Sequence, residues 1–390
     1  MPAVKVREKS TPTAELFRFL KAREQEMVTM LCQLVQMESP SGNWQALTPL
    51  ADLLASEFAK LGGSPKLHRQ EKAGDHLQID FAGKNGGQPV LLLGHYDTVW
   101  EVGTLASMLC RVERGRVWGP GAFDMKGGIV QMMFALRAWR ELHGDLPRPV
   151  TVLLVSDEEV GSETSRALTE SLAKNSAAVL VCEPAQSREG ALKTARKGVG
   201  DYTVSVSGKA SHAGVDFPAG QSAIHELARQ IIKIEDFTEV DRGLTVNVGV
   251  IRGGTRTNVV AAEAIAEVDV RIAKMSDGAR IAKKFRSLKP FNKKCRLEVT
   301  GGINRPPLER SPAVVQLFET ARTIGASLDW KLKEASTGGG SDGNFTAALG
   351  IPTLDGLGAV GEGAHAVNES VVISEMPRRA ALLAGLIEAI

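Results

Sequence analysis

Three continuous aliphatic runs constrain the fold of this chain more than any other feature: 89–94 (PVLLLG), Val150–Val155 (VTVLLV) and 178–182 (AVLVC). Strands with one wet face alternate polar and apolar residues, and these do not. Runs of this kind suit inner strands of a parallel sheet covered on both faces. A helical stretch from Gly127 to about His143 separates the first two, which is α/β organisation. Two further helical patterns, about 13–38 and 44–61, precede them. The expected fold is α/β: a mixed, largely parallel sheet flanked by helices.

Each run ends in groups that bind or move charge. His95-Tyr96-Asp97 follows the first, Asp157-Glu158-Glu159 the second, and Glu183 the third. Two adjacent glutamates at the tip of a buried strand cost solvation energy, and a divalent cation offsets that cost. In open α/β sheets, ligands bind at the carboxyl ends of strands. Taken alone, His95 with Asp97 is either a metal ligand whose tautomer the aspartate fixes, or a capped strand-end histidine. Asp124 lies in the glycine-rich segment 119–128 (GPGAFDMKGG), where it is either a helix N-cap or a carboxylate with one oxygen for each of two metals. His365, in the turn 361–366 (GEGAHA), is the best source of a second imidazole. His68, His76 and His143 lie in polar stretches without evident partners, and His225 falls on a helical face, where packing is expected. The set is nitrogen and oxygen only, which suits zinc first, with cobalt or manganese as alternatives.

Composition narrows the function classes. The 390 residues allow two domains with sizeable cores. A net charge of +2 and 5% aromatics give no footprint for nucleic acid or an anionic membrane. Cys32, Cys110, Cys182 and Cys295 form no CxxC pair, which argues against thiolate zinc and against a disulfide framework. The opening MPAVKVREKSTPTAEL is charged where a signal peptide needs an apolar core, and no run is long enough to span a membrane, so a cytoplasmic location is expected.

The pattern changes over 199–300. Segments 201–207, 244–251 and 258–272 alternate, 221–234 and 277–288 are helix-like, and 295–300 is a strand. That order is β-α-β-β-α-β, a ferredoxin-like pattern. It reads as a domain inserted at 198–306 into a domain made of 1–197 and 307–390. Beyond it, 313–325, 340–349 and 375–388 look helical and 351–354 is a short strand. His212, in 207–214 (SGKASHAG), is either a turn histidine or an oxyanion donor.

Taken together, the motifs resemble the M20 metallopeptidase family, and within it the glutamate carboxypeptidase (G2-type) branch. The matching pieces are GHYDTVW (94–100), GPGAFDMKGG (119–128), SDEEVGS (156–162), CEPA (182–185), GKASHAG (208–214), TRTNVV (255–260), TGGGSD (337–342) and GAHAVNE (363–369). The resemblance implies that His95 and Glu183 each bind one metal ion, that Glu159 and His365 complete the two spheres, and that Asp124 bridges them. It implies Glu158 as general base and acid on a metal-bridging water, Asp97 as the group orienting His95, and a cis peptide after Asp124. His212 is implied to reach the partner subunit's site, making the inserted domain a lid and a homodimer interface. Asn258, Arg271, Arg305 and Gly339 lie where the family holds the substrate. An Arg fork grips a carboxylate bidentately, which favours Arg271 as the anchor. Glutamate at 183 resembles the carboxypeptidase and deacylase branches more than the aminopeptidases.

The expected reaction is two-metal hydrolysis of a C-terminal glutamate-like residue from a small peptide or N-acyl amino acid. One alternative is an N-acyl-amino-acid deacylase resembling acetylornithine deacetylase or succinyl-diaminopimelate desuccinylase. Another is a catalytically silent peptide- or metal-binding protein.

Overall fold

The computed structural model describes residues 12–71 and 73–390. Residues 1–11, and with them most of the charged N-terminal stretch, lie outside the described residues, as does Lys72. The chain forms two compact units: residues 12–194, 310–336 and 341–390 of the first, and 195–309 with 337–340 of the second.

The first unit is built on a six-stranded sheet. Its order is Ser64–His68, His76–Phe81, Val150–Val155, Val90–His95, Ala178–Val181 and Thr353–Leu354. The last four are mutually parallel; His76–Phe81 runs antiparallel to them, and Ser64–His68 runs antiparallel to His76–Phe81 at the edge. The reason for the aliphatic runs is now plain. Val90, Leu92, Val152, Leu154 and Leu180 face one apolar cluster, while Leu91, Leu93, Leu153, Val155, Val179 and Val181 face the other. Each such fully buried side chain contributes about 1.5–3 kcal/mol, so neither face of these strands tolerates water.

The helical pattern over 13–38 is two helices, Pro12–Lys21 and Glu24–Val35, where one was expected. Arg23 leaves the helical region (φ −111°, ψ 16°). The step lets Leu16 and Leu20 pack toward the C-terminal helix Met376–Ala389, and Met27 and Leu31 toward Gly127–His143. A second, short antiparallel sheet joins Gly361–Glu362, Ser370–Val372, Arg116–Trp118 and Arg111–Glu113 in that order. It ties the late turn containing His365 to the glycine-rich turn containing Asp124.

The second unit has a four-stranded antiparallel sheet, ordered Thr245–Gly253, Glu263–Ile272, Gly198–Ser207, Arg296–Arg305. Helices Ala223–Glu235 and Met275–Arg286 share its core, where Tyr202 stacks on Phe285 at 3.9 Å. Strict alternation over Glu263–Ile272 buries every second residue. No helix among the described residues is long and apolar enough to cross a membrane.

Candidate metal centre

Parallel pairing brings the three strand ends side by side. His95 closes its strand, and Glu183 follows the neighbouring one by two residues. The segment Glu158–Val160 follows the other neighbour as a single helical turn. The Asp124 turn meets them at His95. Gly121 adopts φ +71°, which the turn requires of a residue without a side chain. Gly128 lets the next helix press on the strand end, since a Cβ there would sit 2.0 Å from the Cys182 carbonyl oxygen. The Asp124–Met125 peptide is cis.

His95, buried to 1% exposure, places Nε2 3.2 Å from Asp124 Oδ1 and 3.3 Å from Glu183 Oε1. His365 places Nε2 3.2 Å from Glu159 and 3.6 Å from Asp124 Oδ2. Asp124 thus turns one oxygen to each histidine. Ligand atoms of His95, Asp124 and Glu159 lie within 4.8 Å of one another, and so do those of His95, Glu158 and Glu183. His365 takes a left-handed backbone (φ 61°), a conformation uncommon outside glycine and frequent at functional sites.

The charge balance of this cluster calls for cations. Asp97, Asp124, Glu158, Glu159 and Glu183 gather around His95 and His365, and Lys193 also acts on Asp124, so the group stays negative even with both imidazoles protonated. Burial alone would depress the His95 pKa, yet Asp124, Asp97 and Glu183 lift it well above the usual imidazole range. Glu159 raises His365 to about 9, with burial opposing and Asp124 adding. Burial pushes Glu159 upward against the pull of His365. Without a metal the site draws in protons instead. The donor set therefore suits divalent ions, and His95, Asp124, Glu159, Glu183 and His365 are residues that could hold them.

A pH dependence follows. Below about pH 9 the metal-free His365 is protonated, and a metal ion needs the neutral imidazole. Loading is then expected to release one proton per ion, so apparent affinity rises about tenfold per pH unit from pH 6 to 8. Titration of the metal-free protein at several pH values, read by calorimetry in buffers of different ionisation enthalpy, checks this. A pH-independent affinity would contradict it.

Asp97 does more than the sequence indicates. Its backbone carbonyl, 3.0 Å from His95 Nδ1, is the nearer acceptor of the ring proton, with the carboxylate at 3.4 Å. That carboxylate instead accepts the backbone N–H groups of Glu158 and Glu159 (3.3 and 3.2 Å) and the hydroxyl of Ser41 (2.7 Å). Asp157, which the sequence leaves without a role, accepts from Thr164 N, Thr164 Oγ1 and Ser165 N and closes the loop behind the glutamates.

Glu369 is the main residue that sequence reasoning passes over. It is 1% exposed, and its carboxylate accepts from the backbone N–H groups of Gly121, Phe123 and Asp124, each at 2.9 Å, and from Trp100 Nε1 at 2.7 Å. It holds the turn that presents Asp124. Burial raises its pKa to about 7. Its signal in the sequence was its place at the end of the family-like piece GAHAVNE (363–369), which carried no role for it. His76 is also corrected: it is fully buried and bonded to Ser156 and Thr164. His225, expected to pack, is exposed at the start of its helix.

The remaining candidates belong to the second unit. His212 is exposed, and its Nδ1 accepts from Gly214 N and Val215 N (3.1 and 3.2 Å), which leaves the ring proton on Nε2. Asn258 is exposed beside it, its carbonyl accepting from Ala213 N at 2.9 Å. Arg271 is not the open fork expected. Its Nε and Nη2 engage Asp269 at 2.7–3.0 Å, because residues two apart share a strand face. Its Nη1 is 3.5 Å from the Gly338 carbonyl. The carbonyls of Gly339 and Gly340 accept from Arg196 (3.2 and 2.9 Å), and Arg305 is buried against Gly340.

Comparison with known proteins agrees with this geometry. Residues 91–389 match peptidase family M20/M25/M40. The chain is 30% identical to carboxypeptidase G2 of Pseudomonas sp. strain RS-16, over 95% of this chain and 91% of that one. Among solved structures it resembles a tripeptidase from Staphylococcus aureus (TM-score 0.78, 24% identity, 94% and 98% of the two chains). It also resembles a dinuclear metal-binding M20 peptidase from Bacillus subtilis (TM-score 0.70, 13% identity, 95% and 98%). With its strand ends converging on two histidines and a shared aspartate, the chain belongs to peptidase family M20/M25/M40 and is a metallopeptidase-type hydrolase.

Proposed function

We propose that this protein is a two-zinc carboxypeptidase that releases a C-terminal glutamate-like residue from a small peptide or N-acyl amino acid. The observation that carries the two-metal part is Asp124, with Oδ1 toward His95 and Oδ2 toward His365. The substrate class rests on the 30% identity to carboxypeptidase G2 along nearly the whole chain. The nitrogen and oxygen donors suit zinc, and also cobalt or manganese.

Bound dications would polarise the scissile carbonyl and lower the pKa of the attacking water. Glu158 handles the proton. It takes one from the water as oxygen adds to the carbonyl carbon, and returns it to the departing nitrogen. Asp97 fixes the backbone of Glu158 and so the reach of its carboxylate. Met125 and Tyr96, next in the chain to Asp124 and His95, are both fully buried, and Met125 Sδ lies 3.2 Å from the His95 backbone nitrogen.

The second unit serves as lid and homodimer interface. Its edge strand Thr245–Gly253 exposes Ile251 and an unpaired backbone edge, which a two-fold partner would cover. His212, with its proton on Nε2, then donates to the oxyanion in the partner subunit's site. Asn258, Arg305 and the Gly339 segment hold the substrate, and Arg271 contributes its remaining N–H groups to the terminal carboxylate.

The deciding experiment joins metal analysis to a substrate panel: N-acyl glutamates and glutamyl peptides against acetylornithine and succinyl-diaminopimelate. Chelator-sensitive turnover of the glutamates, with two metal equivalents per chain, is expected. Preference for acetylornithine or the succinyl compound would favour the deacylase reading, which draws on the engagement of Arg271 by Asp269. No turnover of any member by the metal-loaded protein would leave the silent binding protein. Arg271→Ala is expected to raise KM for a carboxylate substrate about tenfold while kcat holds, the scale of one charged hydrogen bond. An unchanged KM removes Arg271 from the anchor.

A further inference from the structure

One buried histidine outside the metal centre is bonded at both ring nitrogens, and its bonds lead to the general base. His76 begins the strand His76–Phe81, which lies antiparallel to Val150–Val155 with Leu77 opposite Leu154. The pairing sets its ring beside Ser156, where the second strand gives way to the loop of Glu158 and Glu159. It is 0% exposed.

Its bonding fixes its tautomer. Nδ1 faces the Ser156 backbone nitrogen at 3.3 Å, and a backbone N–H only donates, so Nδ1 accepts. The Ser156 hydroxyl, 3.2 Å away, gives its own proton to the Gly74 carbonyl. The ring proton is therefore on Nε2, 3.0 Å from Thr164 Oγ1. Thr164 in turn donates to Asp157 Oδ2 at 2.8 Å, an acceptor that also takes Thr164 N and Ser165 N. Every proton in this chain has one direction: Ser156 N–H to His76, His76 to Thr164, Thr164 to Asp157.

The chain ends on the residue before Glu158. The loop 157–165 closes on itself through Ser162 N to Asp157 O (2.8 Å) and Gly161 N to Glu158 O (3.0 Å). Asp97 grips it from one side through the N–H groups of Glu158 and Glu159. His76, through Thr164, grips it from the other. Burial keeps the ring neutral against the pull of Asp157, Asp342 and Asp97, with His68 adding to the neutral bias. A neutral ring is what an acceptor at Nδ1 requires.

We propose that His76 is a positioning residue for the hydrolytic reaction: the one-way chain Ser156–His76–Thr164–Asp157 sets the loop that carries Glu158 and Glu159. The kinetic part of this inference rests on the function proposed above; the loop-holding part does not.

The test uses the full, metal-loaded chain and four variants: His76→Phe, His76→Gln, Thr164→Val and the Phe/Val double. His76→Phe and Thr164→Val are each expected to lower kcat about 10- to 100-fold, the range seen when partners behind a ligand or base are removed, with KM held within about threefold. The double variant should be no slower than His76→Phe by more than about twofold, because one broken link already opens the chain. His76→Gln, whose amide keeps a donor near Nε2, should recover most of kcat. Amide hydrogen exchange over 157–165 should quicken in the Phe and Val variants while 90–95 stays protected, whether or not a substrate is known. Should His76→Phe not fold, Thr164→Val, equal in volume, carries the test alone.

Unchanged kcat and unchanged exchange in Thr164→Val would overturn the proposal. So would multiplicative losses in the double variant, or a Gln variant as slow as Phe. A wild type inactive on every substrate would instead overturn the proposed function, leaving exchange over 157–165 to decide the role of His76.

Discussion

Glu158→Ala is expected to keep two metal equivalents and to lose roughly three or more decades of kcat, the scale of general-base plus positioning effects. The structure makes this a sharp test, because Glu158 stands close enough to compete for a ligand role. Its carboxylate lies within 4.8 Å of the donor atoms of His95 and Glu183. Glu159, one residue later, contacts His365 instead. If Glu159 binds metal and Glu158 moves protons, the alanine variant holds both ions and turns over slowly, and Glu158→Gln behaves the same way. If Glu158 is a ligand, one equivalent is lost and added metal restores part of the rate. Near-normal turnover with both ions bound would falsify the proton-carrier role.

The second large effect is expected from Glu369, which stands outside the proposed ligand set. Glu369→Ala strips the acceptor from the N–H groups of Gly121, Phe123 and Asp124 and from the indole of Trp100. All lie at a carboxylate that is 1% exposed. Breaking a buried charged acceptor away from its donors costs about 3–5 kcal/mol. Because the lost donors belong to the turn of Asp124, weaker metal retention should accompany the fall in stability. Chemical denaturation with parallel metal analysis checks both. Glu369→Gln keeps one acceptor oxygen and should fall between wild type and alanine. A stability loss below about 1 kcal/mol would mean that water replaces the carboxylate and that the turn holds itself.

The chemistry that sits at strand ends was readable because burial on both faces writes itself as an unbroken aliphatic run. Once 89–94, 150–155 and 178–182 are parallel strands, His95, Glu158, Glu159 and Glu183 all come out at the same end of the sheet. What was not readable depends on contacts that no local pattern carries. Glu369 serves a turn 245 residues away, and His76 reaches Ser156 and Thr164 across 80 and 88 residues. A buried histidine in a polar stretch looks solvated until the opposite strand is in place. Arg271 differs, since its partner Asp269 was two residues away on an alternating strand, and the shared face was visible in advance. The break at Arg23 had neither glycine nor proline to announce it; the two helices separate because each packs on a different element.

The short sheet that pairs Ser370–Val372 with Arg116–Trp118 also sets an order of events. A chain emerging from the ribosome can form the strands of His95, Glu158 and Glu183 while its later part is still being made. It cannot yet hold the Asp124 turn, whose acceptor is Glu369, nor supply His365. Closing so long a loop is slow, and the entropy is lost before the contact is gained. If Asp124 and His365 hold metal as proposed, proteolytic competence is withheld during synthesis: until residues 361–372 join the early half, the nascent protein carries a half-built site.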